Sequence, residues 1–232
     1  MHPCSPAGRS SGAQGALSAA LRLSDGGPRV AEVDGLIAEL RRARFGDTCN
    51  FYSDAVPGAG ERRERLRRYL TARWSAPVLL VGEAPGWAGA RLSGIAFTSE
   101  HQLGLGPQKE PSATIVHRVL AELGAEDTCL LWNACPSHPF RPGHPRSNRR
   151  PTALEVAAGR PFLEALRHGR RVVAVGRVAA AALGGGAHVR HPSHGGATRF
   201  RDGLAVFLAE ELAAPQPRRC PGPTVGLEGP LA

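Results

Sequence analysis

The run Val78-Leu79-Leu80-Val81 places the tightest constraint on the fold. It has no polar alternation, follows Pro77 and stops at Gly82, so the strand it predicts must be covered on both faces, as in a parallel sheet packed between helices. Two further runs have the same form. Thr128-Cys129-Leu130-Leu131-Trp132 delivers Asn133 to its carboxyl end, and Arg171-Val172-Val173-Ala174-Val175 is closed by Gly176. A short segment, His188 to Arg190, leads into His191-Pro192-Ser193. Helical spacing recurs between the runs. Val33, Leu36, Ile37 and Leu40 predict a helix over 30–43, and Leu66, Tyr69 and Leu70 one over 62–73 whose interleaved arginines are read as a solvated face. A third covers 112–123 with Ser112 as its cap, an alanine-rich helix follows Gly176 to Leu183, and a last covers 204–212. Strands alternating with helices are the rhythm of an α/β domain with a parallel sheet.

The 232 residues, 42% hydrophobic and 21% charged, suffice for one domain with a real core and exclude a disordered chain or a coiled coil. No apolar run approaches the roughly 18 residues of a membrane span, and residues 1–30 lack a signal peptide's charged start and apolar stretch, so a cytoplasmic protein is expected. Residues 1–29, rich in Gly, Ser, Ala and Pro, and 215–232, alternating Pro and Gly, are read as disordered tails around a domain at 30–214. The net charge is +9, almost all of it arginine because Lys109 is the only lysine. A GC-rich genome gives the same bias, but either way the positive field suits a polyanion such as nucleic acid. Five scattered cysteines, Cys4, Cys49, Cys129, Cys135 and Cys220, contain no C-x-x-C pair. Neither a disulfide framework nor a metal site follows, and Cys129 and Cys135 are expected to be buried small residues.

Ligand crevices of open α/β sheets lie beyond the carboxyl ends of the strands, and three of the four predicted ends carry useful chemistry. The first reads Gly82-Glu83-Ala84-Pro85-Gly86-Trp87, a tight turn with backbone amides, a carboxylate and an aromatic. The second reads Asn133-Ala134-Cys135-Pro136, and the last His191-Pro192-Ser193-His194-Gly195-Gly196. Phe97 lies between the first two, in Ser93-Gly94-Ile95-Ala96-Phe97-Thr98. Each motif is common singly. A glycine-proline turn often ends a strand, asparagine is a turn former, and a histidine before proline is usually structural.

In this order and placement they resemble the uracil-DNA glycosylase superfamily, nearest in motif to its bacterial iron-sulfur members. The resemblance runs from Val78 to Gly196 and implies a three-layer α/β/α sandwich with a central four-stranded parallel sheet. It further implies hydrolysis of the N-glycosidic bond of a flipped, deaminated base in DNA, most simply uracil, with DNA, single- or double-stranded, as the partner of a monomer. Such a reaction puts positive charge on the sugar and negative charge on the departing ring. Glu83 would position water and stabilise the cation, while His191 and the amides of the Glu83–Trp87 turn stabilise the ring oxygen. Gly82, Ala84, Pro85, Gly86 and Trp87 would form the base pocket. Phe97 would stack on the base and Asn133 would read its edge. Ser193 and His194 would press on the DNA backbone, and Arg141, Arg146, Arg149 and Arg150, in a proline-rich loop, are candidates for phosphate contacts.

The chain departs from the pattern in four ways. The cluster cysteines are missing, so no cluster or other cofactor is expected. Ala84 stands where the best-known members have aspartate, and Gly86 where they have a tyrosine that excludes thymine. That opens space beside the base, which leaves hypoxanthine, xanthine or mismatched thymine open as substrates unless Trp87 refills it. His194 and glycines replace the apolar wedge. A non-catalytic base- or nucleic-acid-binding protein on the same fold also remains open. A nucleotide-dependent enzyme or a serine hydrolase is disfavoured, since G-x-x-x-x-G-K-[ST], G-x-G-x-x-G and G-x-S-x-G are all missing.

Overall fold

A computed structural model of the chain describes residues 28–213; both expected tails lie essentially outside this range. The elements are α1 (Pro28–Arg42), β1 (Thr48–Cys49), α2 (Ala59–Arg73), β2 (Val78–Gly82), α3 (Ala90–Ser93), a single turn at Glu100–Leu103, α4 (Pro111–Glu122), β3 (Cys129–Asn133), β4 (His138–Pro139), α5 (Ala153–Arg167), β5 (Arg171–Val175), α6 (Arg177–Ala182), β6 (His188–Val189) and α7 (Ala197–Ala213). Four strands form one parallel sheet in the order β3-β2-β5-β6, flanked by helices, while β1 and β4 make a separate antiparallel ribbon. The α/β sandwich expected from the sequence is therefore present.

β2 and β3 are buried along their whole length, which accounts for their unbroken apolar sequences. From β2 the chain passes to the neighbour on one side, β3, and returns to the neighbour on the other, β5. Such a reversal opens a crevice at the carboxyl end of the middle strand, which here is Gly82 and the turn that follows it.

Four local expectations are corrected. Ser112 is inside α4; Glu110 is the cap and Pro111 the first helical residue, a position where the missing N–H is harmless. α7 begins at Ala197, before the predicted start at 204. α5 has no counterpart among the helices the spacing predicts, because Gly159 and Pro161 break its helical signature. It is secured by a capping box between Thr152 and Glu155, and Gly159 lets it lie against the backbone just after Asn133, since a Cβ there would stand 2.8 Å from Pro136 Cδ.

The arginines of α2 are the fourth correction. Arg67 and Arg68 do face outward onto Glu64, but Arg62 is buried and donates to the carbonyls of Phe51 and Pro57. Arg63 donates to Tyr52 O, and Arg65 to the carbonyls of Leu92 and Ser93. These guanidinium groups fasten two loops that carry little regular structure, one of which leads to Phe97. Arginine serves this purpose because its forked donors satisfy several carbonyls at once.

Candidate active site

Gly82 and Asn133 are register partners at the ends of β2 and β3. The ladder continues past the strands, with Ala134 N–H donating to Gly82 O at 2.8 Å and Cys135 N–H to Glu83 O at 3.0 Å. A Cβ on Gly82 would lie 2.6 Å from Asn133 Oδ1 and 2.9 Å from Phe97 Cε2, and nearer still to Phe97 Cζ. The asparagine amide and the phenyl ring thus meet over one glycine. Asn133 is buried, yet its side chain makes no hydrogen bond to any described residue, so its donor and acceptor are uncommitted.

Phe97 has φ 52, in the left-handed region that a bulky side chain seldom adopts. Strain of this kind, of order 1–3 kcal/mol, persists only where the surroundings over-determine it. Here Tyr52 Oη donates to Gly94 O at 2.8 Å, and Ser93 Oγ donates to Thr98 O at 2.6 Å while accepting from Ile95 N–H. Thr98 Oγ1 lies 3.0 Å from the buried imidazole of His117. Burial pushes that imidazole down to about 4, so it braces the segment as a neutral ring. The aromatic is aimed by a polar scaffold that its short motif did not reveal.

Glu83 begins the turn after β2 and is half-buried; burial raises its carboxyl above the ordinary range, and the positive charge of Arg150 partly offsets this. The turn is held from two sides. His138 Nδ1 donates to Pro85 O at 2.8 Å, and Asn148 Oδ1 accepts from Trp87 N–H at 2.9 Å. Pro85 has no N–H, so the uncommitted turn amides after Glu83 are those of Ala84 and Gly86. The Trp87 amide, expected among the donors, is already engaged. Nor does Trp87 refill the space at Gly86: that place is taken by the carboxyl of Glu110, whose Cδ would stand 3.2 Å from a Cβ on Gly86. Glu110 carried no motif in the sequence.

On the other side of β2, β5 is followed by Gly176, and a Cβ there would lie 3.2 Å from His191 Cβ. Gly176 also has φ 86, so glycine meets both a conformational and a spatial demand. Ser193 N–H donates to His191 Nδ1 at 3.2 Å and Ser193 Oγ lies 2.8 Å from the same atom. Nδ1 is therefore an acceptor, and the neutral ring carries its proton on Nε2. Burial, with Arg190 and His194 nearby, lowers the His191 pKa and favours that neutral form. His194, exposed with φ 53, completes a tight loop and approaches Ser193 Oγ to 3.0 Å.

Arg141, Arg146 and Arg150 are exposed. A cleft of about 990 Å³ beside Arg150 reaches Phe140 and Leu154. Arg149 is different. It pairs through two nitrogens with buried Glu155 at 2.6 and 2.7 Å and donates to the carbonyls of Phe140, Asp47 and Arg150. With its donors consumed inside the protein, it is corrected from a phosphate contact to a structural clamp. Cys129 and Cys135 are free and buried, as expected; Cys4 and Cys220 lie outside the described residues. Among the described residues no three His, Cys, Asp or Glu side chains are grouped as a metal site requires, and no helix is long and apolar enough to cross a membrane.

The family model for the uracil DNA glycosylase superfamily matches residues 70–218. The chain belongs to that superfamily. The match takes in the turn after β2, Asn133 and the His191 loop, and it supports a DNA glycosylase. No curated protein matches the chain. Among solved structures, the crystal structure of wild-type SMUG2 from Pedobacter heparinus is similar, with a TM-score of 0.60 and 14% identity over 79% of this chain and 99% of that one. At that identity the likeness bears on the fold, and a superfamily member with the same sandwich is what the motif order implied.

Proposed function

We propose that this superfamily member is a base-excision glycosylase acting on a deaminated base, uracil first, flipped out of DNA. The observation that carries the reading is the meeting of Asn133 and Phe97 over Gly82, one residue before Glu83. A flipped base stacks on the Phe97 ring and presents its edge to Asn133, whose amide accepts from uracil N3–H and donates to O4. Cytosine reverses both partners, and a mispaired polar edge in a closed site is strongly selected against. Glu83 as carboxylate takes a proton from the water that adds to C1′ as the C1′–N bond breaks, and the bonding pair leaves with the base. His191 Nε2–H and the amides of Ala84 and Gly86 stabilise the ring oxygen that becomes anionic. Arg141, Arg146 and Arg150, with Ser193 and His194, contact the DNA backbone.

The test is alkaline strand cleavage after incubation with single- and double-stranded oligonucleotides carrying one uracil, hypoxanthine, xanthine or mismatched thymine, with Glu83→Ala as control. Release of uracil, lost in the variant, is the expected result. Release of a different base keeps the mechanism and changes the substrate. Silence on every substrate with DNA still bound overturns the catalytic reading in favour of a binding protein.

A further inference from the structure

Glu110 is a carboxyl without a partner in an unusual place. It caps α4 through its backbone and lies across the Gly86–Gly89 turn: a Cβ on Gly86 would stand 3.2 Å from its Cδ and nearer still to Oε1, and one on Gly89 2.6 Å from the same carbon and nearer still to Oε2. Neither glycine has a positive φ, so each is required for space and not for conformational freedom. One side chain therefore fills the positions of two that the turn lacks. Charged and titratable groups on the neighbouring segments are Glu83 at the start of the same turn, His138, which donates to Pro85 O, Arg91 on α3, which donates to Trp87 O, Glu100 and His101 on the turn at Glu100–Leu103, Lys109, and His117, Arg118 and Glu122 on α4. None forms an ion pair with it or a hydrogen bond to its carboxyl among the described residues.

We propose that Glu110 is a positioning residue of this site: as a neutral acid it seats the Gly86–Gly89 turn and keeps negative charge away from the Ala84 and Gly86 amides. This rests on the glycosylase reading, which asks those amides to receive an anionic ring. Burial alone pushes the Glu110 carboxyl up to about 7, so the neutral form is populated at neutral pH. An ionised carboxylate behind the same turn would oppose the developing anion, because preorganised donors act on charge in the transition state. Activity should accordingly be highest with Glu110 protonated and fall as pH rises through its pKa. A space-filling role alone would give no such dependence.

The experiment is single-turnover base release from pre-bound oligonucleotide between pH 5.5 and 9 for the parent, Glu110→Gln and Glu110→Ala, with the intrinsic fluorescence of the chain, to which Trp87 contributes alongside Trp74 and Trp132, followed over the same range. The expected result is a fall of about tenfold or more in the parent through pH 7, flattened in Glu110→Gln with the same DNA affinity, and a uniformly lower rate in Glu110→Ala. The parent's fluorescence should titrate with the same midpoint and Glu110→Gln should not. An alkaline fall, or a fluorescence titration, that survives unchanged in Glu110→Gln overturns the proposal, as does a parent with neither. If no base is released by any form, the glycosylase reading fails separately, and the fluorescence comparison still decides whether Glu110 controls the turn.

Discussion

Arg149→Met and Arg150→Met should behave in opposite ways although the two arginines are adjacent in a basic loop. Arg149 is the double partner of Glu155, which is only 2% exposed, and it also holds the carbonyls of Phe140 and Asp47. Removing one member of a buried ion pair costs about 3–5 kcal/mol because the other is left unpaired. The Arg149 side chain retains 22% exposure, which places the expectation near the lower end, about 3 kcal/mol. In a domain of this size each kcal/mol shifts Tm by about 2–4 °C, so thermal unfolding should fall by roughly 6–12 °C. Arg150→Met should change stability by no more than about 0.5 kcal/mol but reduce the salt dependence of DNA binding by about one phosphate contact, a slope change near 0.9 for duplex. Glu155 is held below the ordinary carboxylate range, first by its hydrogen bond to Arg149. Its contribution is present above the unfolded pKa of about 4.3 and is lost as pH falls through the lower folded value, so the gap between parent and Arg149→Met should narrow in acid. Circular dichroism melts and fluorescence anisotropy across a salt series measure both effects. An Arg149→Met protein as stable as the parent, with the salt slope reduced, would refute the clamp and return Arg149 to the DNA.

Gly82→Ala forces a methyl against Phe97 and Asn133, and because Phe97 is pinned in a strained conformation it cannot retreat freely; a loss of about 1–3 kcal/mol with collapse of base release is expected, and full activity in a stable variant would place the base elsewhere. Asn133→Asp should relax selection against cytosine, measured as cytosine release from a single-stranded oligonucleotide; no gain over the parent counts against Asn133 as the edge reader. Since Glu83 must be ionised to accept a proton and its pKa is raised by burial, base release should climb with pH through that raised value, and Glu83→Gln should abolish this limb along with most activity.

The apolar runs by themselves determined the sheet, because a strand buried on both faces has no polar alternation to disguise it, and β5 spans the residues its sequence predicted. The placement of the candidate residues at the strand ends was equally legible, since Glu83 and Asn133 lie where apolar strands stop and His191 follows the short segment after them. What the sequence did not carry was which polar groups would spend their hydrogen bonds inside the protein. Arg149 and Arg150 are the same residue type in the same loop, and only the approach of Glu155 from α5 separates them. Arg62 and Arg65 have the spacing of a solvated face, and only the loops that they fasten take their donors inside. Glu110 had no motif because its role arises from two glycines distant in sequence, whose missing side chains leave the space that it fills. Periodicity is a property of neighbouring residues and survives in the sequence, whereas desolvation and the pairing of charges depend on what the completed fold brings alongside.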